Sequence, residues 1–296
     1  LLNAPDFLGY ESGLAMAKDH PELVERGLRL KKHGNQLLEA LGGRAVHPVN
    51  VAVGGFYRLP SASELARLIP DFQWGFDAAI ETARWVADFD FPPLERPYDF
   101  VALSDDDEYA MCAGTIRSSD GLAIAAPQFE QYFREQQVPH STALQAVRTD
   151  TGRTYLVGPL ARVNLNREQL MPTARGLADE LLEYPCRNPF KSIVARGIEI
   201  VQAFEESLSI LTTYRPERPP RVPYDYRAGE GAAATEAPRG LLYHRYAVDA
   251  AGKIVAANIV PPTSQNQSQI EEDLRQYLPA LLSRPDDQVA HACEQL

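Results

Sequence analysis

This sequence has few cysteines and no long apolar run, and both absences narrow what the protein can be. Its three cysteines are odd in number and lie far apart along 296 residues. That usage argues against a disulfide framework and fits a reducing compartment. No uninterrupted apolar run reaches the roughly 20 residues that cross a bilayer, and no signal peptide is visible. We therefore expect a cytoplasmic protein without a membrane span.

The sequence also lacks a basic tract and the common catalytic motifs. Its formal net charge is −11 with no segment rich in lysine and arginine, which argues against a nucleic-acid surface. P-loops, the dinucleotide glycine fingerprint, the HExxH zinc motif and the nucleophile elbow are all absent. Residue chemistry alone therefore predicts only an acidic globular protein, whose 45% of hydrophobic residues suffice for a sizeable core.

Helical spacing of apolar residues covers most of the chain outside its middle. Asn188 followed by a proline is a strong helix start, and the Ser61–Glu64 and Ser268–Glu271 pairs are capping boxes. Pro279 is expected to end or kink the helix that contains it. The predicted helices cover residues 6–18, 21–42, 61–87, 173–183, 188–211, 268–279 and 285–296.

The middle of the chain has a different texture, with short runs of strand-forming residues between turn signals. The predicted strands are 100–103, 109–116, 122–125, 144–147 and 154–157, with one helix at 127–135. We predict an α+β fold in which residues 98–158 form a β-rich insertion. The insertion is expected to lie within a single domain that covers residues 1–296.

The densest cluster of unusual residues is the stretch 230–266. Two alternating runs, Leu241–Val248 and Lys253–Val260, flank a short glycine-containing loop, which predicts a β-hairpin. The hairpin is expected to bring Pro238-Arg239-Gly240 and Pro261-Pro262-Thr263 to one end. A guanidinium and a hydroxyl beside stiff backbone suit an anionic ligand. The alternative, which the local pattern by itself favours, is a surface hairpin whose arginine forms a salt bridge.

The same stretch resembles the large subunits of [NiFe]-hydrogenases. The resemblance rests on Glu236-Ala-Pro-Arg-Gly240 with His244, and on Ala256-Ala-Asn-Ile-Val-Pro-Pro-Thr263 with Asn266. It extends in order through the chain and is most like the cytoplasmic multi-subunit group, in particular its NAD(P)-linked sulfhydrogenase branch. The supporting matches are Lys32-His-Gly-Asn35, Gly42-Gly-Arg44, His47-Pro48, Gly54-Gly55 and Arg187-Asn-Pro-Phe190. The implied fold is a long-helix core with the β-rich insertion and the hairpin.

The resemblance implies a NiFe(CN)2CO centre, held in the complete protein by two Cys-x-x-Cys pairs, because nickel prefers soft thiolates. Neither pair is present, and Cys112, Cys186 and Cys293 do not match those positions. We therefore interpret the chain as a fragment that lacks both ends of the protein. A homologue that has lost the metal is the alternative. This chain alone is expected to hold none of the centre.

The resemblance also implies roles for residues that surround the metals. Arg239 would be catalytic, with its guanidinium reaching an iron-bound cyanide and the open coordination site, and Pro238 would shape that wall. Pro262 and Thr263 would meet the other cyanide, since outer donors of this kind fix diatomic ligands. Ile259 would offer its carbonyl to a Mg or Fe ion. Whether Arg239 is a base or acts electrostatically stays open, because a guanidinium surrenders its proton reluctantly.

The implied function is that of the catalytic large subunit of a cytoplasmic [NiFe]-hydrogenase, which oxidises H2 reversibly. Electrons would pass to an iron–sulfur small subunit, and through flavin- and NAD(P)-binding diaphorase subunits to NAD(P) or a similar acceptor. One alternative is a metal-free structural or quinone-facing subunit of a respiratory complex, although retention of Glu236–Gly240 and Pro261–Thr263 favours the hydrogenase. The other is an unrelated acidic binding protein, which predicts that the two turns lie apart.

Overall fold

The computed structural model describes residues 4–216 and 218–296. They group into two compact units, each assembled from segments that are separate in the sequence. Among the described residues, the first unit draws on 4–89, 171–177, 197–216 and 218–225, and the second on 90–170, 178–196 and 226–296. Helices and strands are mixed throughout, so the predicted α+β class is confirmed. The assignment of residues 1–296 to a single domain stays a prediction.

The first unit is mainly helical, and most of its helices begin where the sequence predicts. Pro21 opens the long helix α3, and the Ser61–Glu64 capping box at the start of α4 is present. The predicted single helix over 6–18 is wrong, because Gly9 with a φ of +77° separates α1 from α2. The elements are α1 (Ala4–Phe7), α2 (Gly13–Met16), α3 (Pro21–Gly42), β1 (Val51–Ala52), β2 (Gly55–Phe56), α4 (Ala62–Ala66) and α5 (Ile69–Ala87).

The second unit contains the longer strands and the predicted hairpin. Helix α8 ends in this unit, and α9 begins in it. The strands are β3 (Val101–Ser104), β4 (Thr115–Ser118), β5 (Ala123–Ile124), β6 (Phe133–Val138), β7 (Ser141–Arg148), β8 (Gly229–Ala237), β9 (Gly240–Val248) and β10 (Ile254–Val260). The helices are α6 (Phe129–Tyr132), α7 (Pro159–Leu165), α8 (Pro172–Leu181), α9 (Ser192–Thr213), α10 (Pro262–Tyr277) and α11 (Asp286–Glu294).

The predicted β-rich segment 98–158 does form sheets, but not with all the predicted strands. β3, β4 and β5 form one antiparallel sheet, and β6 pairs with β7. The helix predicted over 127–135 is wrong beyond Tyr132, because Phe133 pairs with Arg148 and starts β6. The strand predicted over 109–116 is reduced to its end, and 154–157 contributes only an isolated bridge between Leu156 and Phe100.

The core of the second unit is built on aromatic rings. Phe129 stacks on Tyr243 with ring centroids 4.3 Å apart and on Phe133 with centroids 4.7 Å apart. Stacked pairs of this kind add to the stabilisation that burial of their area provides. The rest of this core includes Val101, Leu103, Ala110, Ile116, Ile124, Ala146, Tyr155, Val157, Ala234, Leu241 and Val260.

The hairpin of β9 and β10 is confirmed, and a third strand joins it. β8 pairs along its whole length with β9, so the sheet order is β10-β9-β8. The helix start predicted at Ser268 is wrong, because Pro262 already opens α10 and Ser268 lies inside that helix with its hydroxyl donating to Gln145. Pro279 does follow the end of α10 at Tyr277.

Across the described part of the chain, no helix combines the length and the hydropathy that a membrane crossing requires.

Candidate functional site

The predicted site residues lie at one end of the β10-β9-β8 sheet. Pro238 and Arg239 form the tight turn between β8 and β9, since Ala237 pairs with Gly240. β10 runs antiparallel to β9 and ends with Val260 opposite Tyr243, close to the start of β9. The turn and the Pro261-Pro262-Thr263 segment therefore occupy the same end of the sheet, as the hairpin pattern predicts.

One side chain connects the two segments. The Asn266 amide donates to the Arg239 carbonyl over 3.4 Å and to the Val157 carbonyl over 3.0 Å. Its own oxygen accepts a hydrogen bond of 2.8 Å from the Val157 amide. Because Thr263 lies one helical turn before Asn266 on α10, the start of the helix is fixed beside the Arg239 backbone. The structure thus brings Arg239 and Thr263 together.

A buried ion pair stabilises the turn between β8 and β9. Arg162 on α7 contacts Glu236 on β8 over 2.8 Å, and their side chains are 1% and 0% exposed. The same guanidinium donates to the carbonyls of Ala237 and Pro238 over 2.9 and 3.3 Å. The Glu236 carboxylate also accepts a hydrogen bond of 2.8 Å from the Leu103 amide. A buried charge is costly unless it is paired and hydrogen-bonded, and both charges meet that condition.

Glycines let a second backbone segment pass against the turn. Gly158 and Gly240 have φ of +115° and +133°, a conformation that L side chains rarely adopt. A Cβ at Gly158 would lie 2.7 Å from the Arg239 carbonyl oxygen, and one at Gly240 would lie 2.8 Å from the Gly158 amide nitrogen. The two backbones touch, so neither position accepts a side chain without displacing the turn.

Three of the four predicted site residues beside the turn have exposed side chains. Arg239 and Thr263 are exposed, Pro238 is exposed and Pro262 is buried. Within residues 4–216 and 218–296, the Arg239 guanidinium and the Thr263 hydroxyl form no hydrogen bond or ion pair. Thr263 also stands in the first turn of α10, where backbone amides are unpaired and the helix dipole is positive. The arrangement offers a guanidinium, a hydroxyl and a helix N-terminus to an anionic ligand.

Ile259 occupies a separate position from this group of donors. It lies on the edge strand β10 opposite His244, whose ring Nδ1 is 3.0 Å from the Tyr246 hydroxyl. The described residues contain no cluster of three or more histidine, cysteine or acidic side chains placed to hold a metal ion. Binding of an ion by the Ile259 carbonyl therefore stays a prediction.

The cysteines do not form a metal-binding set either. All three are free thiols; Cys112 is exposed, Cys186 is buried and Cys293 is half-buried. Burial raises the pKa of Cys186 to about 12, and none of the three thiols belongs to a group of metal-binding side chains within the described residues. The chain's donors therefore fit the surroundings of a centre with anionic diatomic ligands, and its cysteines do not fit direct ligation of nickel or iron.

No protein-family model matches the chain, but several known proteins are similar to it. Sulfhydrogenase 1 subunit alpha of Pyrococcus furiosus is 31% identical over 282 residues, which cover 93% of this chain and 65% of that protein. The crystal structure of an NAD+-reducing [NiFe]-hydrogenase in the H2-reduced state superimposes with a TM-score of 0.90 at 19% identity, over 99% of this chain and 71% of that one. The chain belongs to the family of [NiFe]-hydrogenase large subunits.

A further relative is also named as a subunit of a hydrogenase. Subunit beta of the NAD-reducing hydrogenase HoxS of Cupriavidus necator is 27% identical over 292 residues, which cover 88% of this chain and 60% of that protein. The chain spans about 65% of the length of the sulfhydrogenase subunits that it matches. The interpretation as an unrelated acidic binding protein is wrong, because the two turns lie together and the relatives are hydrogenase subunits.

Sequence reasoning missed Arg162, although it positions the turn that carries Arg239. A signal was available, because Arg162 interrupts an apolar helical run and Glu236 interrupts a strand of small residues. Charges at core positions require partners, but the pattern does not reveal which charge pairs with which.

Proposed function

We propose that the whole protein is the catalytic subunit of a cytoplasmic [NiFe]-hydrogenase that oxidises H2 reversibly. Each H2 molecule would yield two protons and a pair of electrons. The electrons would pass to an iron–sulfur small subunit and on to NAD(P) or a similar acceptor. Family membership supports this proposal, and the shared position of Arg239 and Thr263 supports it independently of the relatives' names.

The observation that carries the proposal is the contrast between Arg239 and its surroundings. The guanidinium of Arg239 is unpaired among the described residues, while its backbone is fixed by Asn266 and held from below by Arg162. The simpler interpretation of the hairpin is a surface arginine in a salt bridge. Arg239 does not fit it, because it has no carboxylate partner in the described chain. A cation without an internal partner, carried on a fixed backbone, is suited to an anionic ligand from outside the described residues.

The bound NiFe(CN)2CO centre would supply the metal chemistry that splits H2. Arg239 would donate hydrogen bonds to one cyanide and keep a positive charge beside the open coordination site, with Pro238 excluding water from that wall. Thr263, through its hydroxyl or amide, and Pro262 would fix the other cyanide. Electrostatic stabilisation by Arg239 would need no proton transfer, and a guanidinium is a poor proton donor.

The finer parts of the proposal concern partners and a second ion. We include flavin- and NAD(P)-binding diaphorase subunits as partners beyond the iron–sulfur subunit, because one relative is named as a subunit of an NAD-reducing hydrogenase. We also include a Mg or Fe ion that accepts the Ile259 carbonyl as a ligand, together with groups from outside the described residues.

The proposal is tested by Arg239→Lys in the whole, metal-loaded protein. The expected result is an unchanged nickel content with a loss of hydrogen-dependent viologen reduction of about 100-fold, because lysine keeps the charge but loses the planar donor fork. Arg245→Lys is the matched control, since Arg245 lies on β9 of the same sheet and pairs with Glu130. Turnover near that of the control would contradict the role of Arg239. A whole protein that contains no nickel would favour the metal-free respiratory subunit instead.

A further inference from the structure

Exposed valines are concentrated in one region of the first unit. Apart from Val255, every exposed valine of the described residues lies in the loop after α3, in the β1–β2 hairpin or in the segment beside that hairpin. A single exposed apolar residue is normal, whereas a contiguous group usually marks a contact surface. We refer to this group as the valine surface, and its members are 56–67% exposed: Val46, Val49, Val51, Val53 and Val222.

Main-chain hydrogen bonds bring these valines together. Val51 lies opposite Phe56 in the β1–β2 ladder. The segment that contains Val222 runs antiparallel beside the hairpin, because the Phe56 amide donates to the Pro220 carbonyl over 2.9 Å. The Val222 amide donates to the Gly54 carbonyl over the same distance. The valine surface is therefore continuous, although its residues come from two distant parts of the sequence.

The hairpin is fixed by its own backbone contacts. A Cβ at Gly55, whose φ is +145°, would lie 2.3 Å from the Pro220 carbonyl oxygen, so the two segments touch there. The Asn50 amide donates to the carbonyls of Leu41 and Arg58 over 2.7 and 2.6 Å. Its oxygen accepts a hydrogen bond of 3.0 Å from the Arg58 amide. A preformed surface of this kind loses little conformational entropy on binding, which favours affinity.

Tyr57 and Arg221 add an aromatic ring and a guanidinium beside the valines. Tyr57 is 64% exposed, and the guanidinium carbon of Arg221 lies 5.5 Å from the centre of its ring. Tyrosine and arginine are enriched at protein–protein contacts and among the residues that dominate the binding free energy. The region thus combines an apolar centre with the side chains that commonly anchor a partner protein.

The region is also basic, in contrast to the chain as a whole. The segments 43–58 and 218–224 contain four arginines and no acidic residue, although the formal net charge of the chain is −11. One of the four, Arg58, pairs with a carboxylate. Arg44 donates to a backbone carbonyl and Arg221 lies over an aromatic ring, so neither contact cancels the charge. A complementary surface would carry carboxylates around an apolar centre.

Charge also decides between two kinds of occupant. In a symmetric dimer the same patch faces itself, so a second copy of this chain would set arginine against arginine. Like charges across an interface cost free energy, whereas a partner with carboxylates at the rim gains attraction and faster association. The charges therefore favour a different polypeptide over a second copy.

We propose that the valine surface binds a second subunit of the hydrogenase complex, through a face of that subunit that is apolar at its centre and carries carboxylates at its rim. The inference rests on the proposed function, in which the whole protein is one subunit of an assembly. Residues of the first unit alone form the surface, so it is distinct from the Arg239–Thr263 site in the second unit.

The first experiment needs no activity and no metal. Amide hydrogen exchange is compared between the whole protein alone and the purified complex. We expect residues 49–57 and 220–224 to exchange about tenfold more slowly in the complex. The reference is the peptide that contains Leu14, a residue of α2 that is 83% exposed and lies outside the valine surface. Equal exchange of 49–57 in the two samples would overturn the proposal. Slow exchange already in the whole protein alone would also overturn it, because other parts of the same polypeptide would then cover the surface.

The second experiment places carboxylates on the surface with Val51→Asp/Val222→Asp. We expect the dissociation constant of the complex to rise about 100-fold, because the new charges are desolvated opposite carboxylates of the partner. Native mass spectrometry over a dilution series measures it. Leu14→Asp is the matched control and should assemble as the wild type does. The replaced valines are exposed, so the thermal midpoint of the whole protein is expected to stay unchanged. Val222→Asp alone replaces the double variant if that one does not fold, and wild-type assembly of a folded variant would overturn the proposal.

The third experiment tests the sign of the partner's charge. Val222→Lys and Val222→Asp remove the same apolar side chain and introduce opposite charges. We expect the complex with Val222→Asp to be about tenfold weaker than that with Val222→Lys, because a lysine can pair with carboxylates at the rim. Equal or reversed affinities would overturn the acidic rim of the partner. A dimer of the whole protein that Val222→Asp abolishes would assign the surface to a second copy, against the proposal.

The two proposals fail in different ways. A complex that covers the valine surface but contains no nickel would overturn the proposed function and leave a subunit contact in place. Full hydrogen-dependent viologen reduction by a complex in which residues 49–57 exchange as fast as in the separate protein would overturn the docking inference and leave the proposed function standing.

Discussion

Two arginines of the second unit lie on either side of one turn and differ in nearly every physical respect. Arg162 is 1% exposed and its charge is matched by Glu236, while two backbone carbonyls take further hydrogen bonds from it. Arg239 is exposed, and its guanidinium has no partner among residues 4–216 and 218–296. Arg162 stabilises the turn, and Arg239 is exposed on it.

This difference explains how a chain without metal-binding thiolates can still display a defined site. Donors that are to meet a ligand must not be satisfied internally, yet they must not move either, because disorder would raise the entropic cost of binding. Here the backbone of the turn is fixed by Arg162, Asn266 and the contact of Gly158 with Gly240, so the exposed side chains stand on a rigid base. The contacts that fix the backbone lie beneath the surface, whereas the side chains that could meet a ligand are exposed on it.

The largest effect that separates the two arginines is expected from Arg162→Met. The substitution leaves the Glu236 carboxylate buried without its counter-charge, and the free energy of unfolding should fall by about 3–5 kcal/mol. Chemical denaturation followed by far-UV circular dichroism measures this change. The matched control is Arg245→Met, which breaks a half-exposed pair with Glu130 and should cost no more than about 1 kcal/mol. Equal losses in the two variants would show that the buried pair does not hold the turn.

A smaller effect is expected where the backbone of the turn meets its neighbour. Gly240→Ala places a Cβ 2.5 Å from a Val157 methyl group in a residue with φ of +133°, so we expect a loss of about 1–3 kcal/mol. Thermal unfolding of the variant, with Asn266 left unchanged, measures this loss of stability. Gly176→Ala is the control, because nothing lies within 4 Å of its Cβ on α8, and there alanine should be neutral or stabilising. A neutral Gly240→Ala would mean that the turn tolerates displacement.

The helices of the first unit could be predicted from sequence because their signals are local. Pro21 and the Ser61–Glu64 box act within one turn of the residues that carry them, so α3 and α4 begin as predicted. The predicted start of α10 is wrong for the same reason: the local signal at Ser268 predicts a capping box, whereas Pro262 already opens the helix. Local sequence signals therefore predict a helix start correctly only where one such signal is present.

Strands and buried charges depended on contacts that a local pattern does not contain. β8 was missed because its alanines and glycines have low strand propensity, and only pairing with β9 makes it a strand. The residues from Phe133 form β6 because they pair with β7, against a helix-favouring composition. The Arg162–Glu236 pair joins residues 74 positions apart. The site residues were predicted through the family resemblance and the hairpin pattern, which also placed both turns at one end.

The smallest effect on stability is expected at Arg239 and Thr263. It gives the clearest contrast with the buried Arg162. Arg239→Met and Thr263→Val remove exposed groups that have no partner in the described chain, so each should change the free energy of unfolding by no more than about 0.5 kcal/mol. The same denaturation assay as for Arg162→Met applies, with Arg239→Lys as the charge-conserving reference. A loss of more than about 2 kcal/mol in Arg239→Met would mean that the guanidinium is satisfied within the protein. It would then belong to the turn's scaffold, as Arg162 does, and would not be available to an anionic ligand.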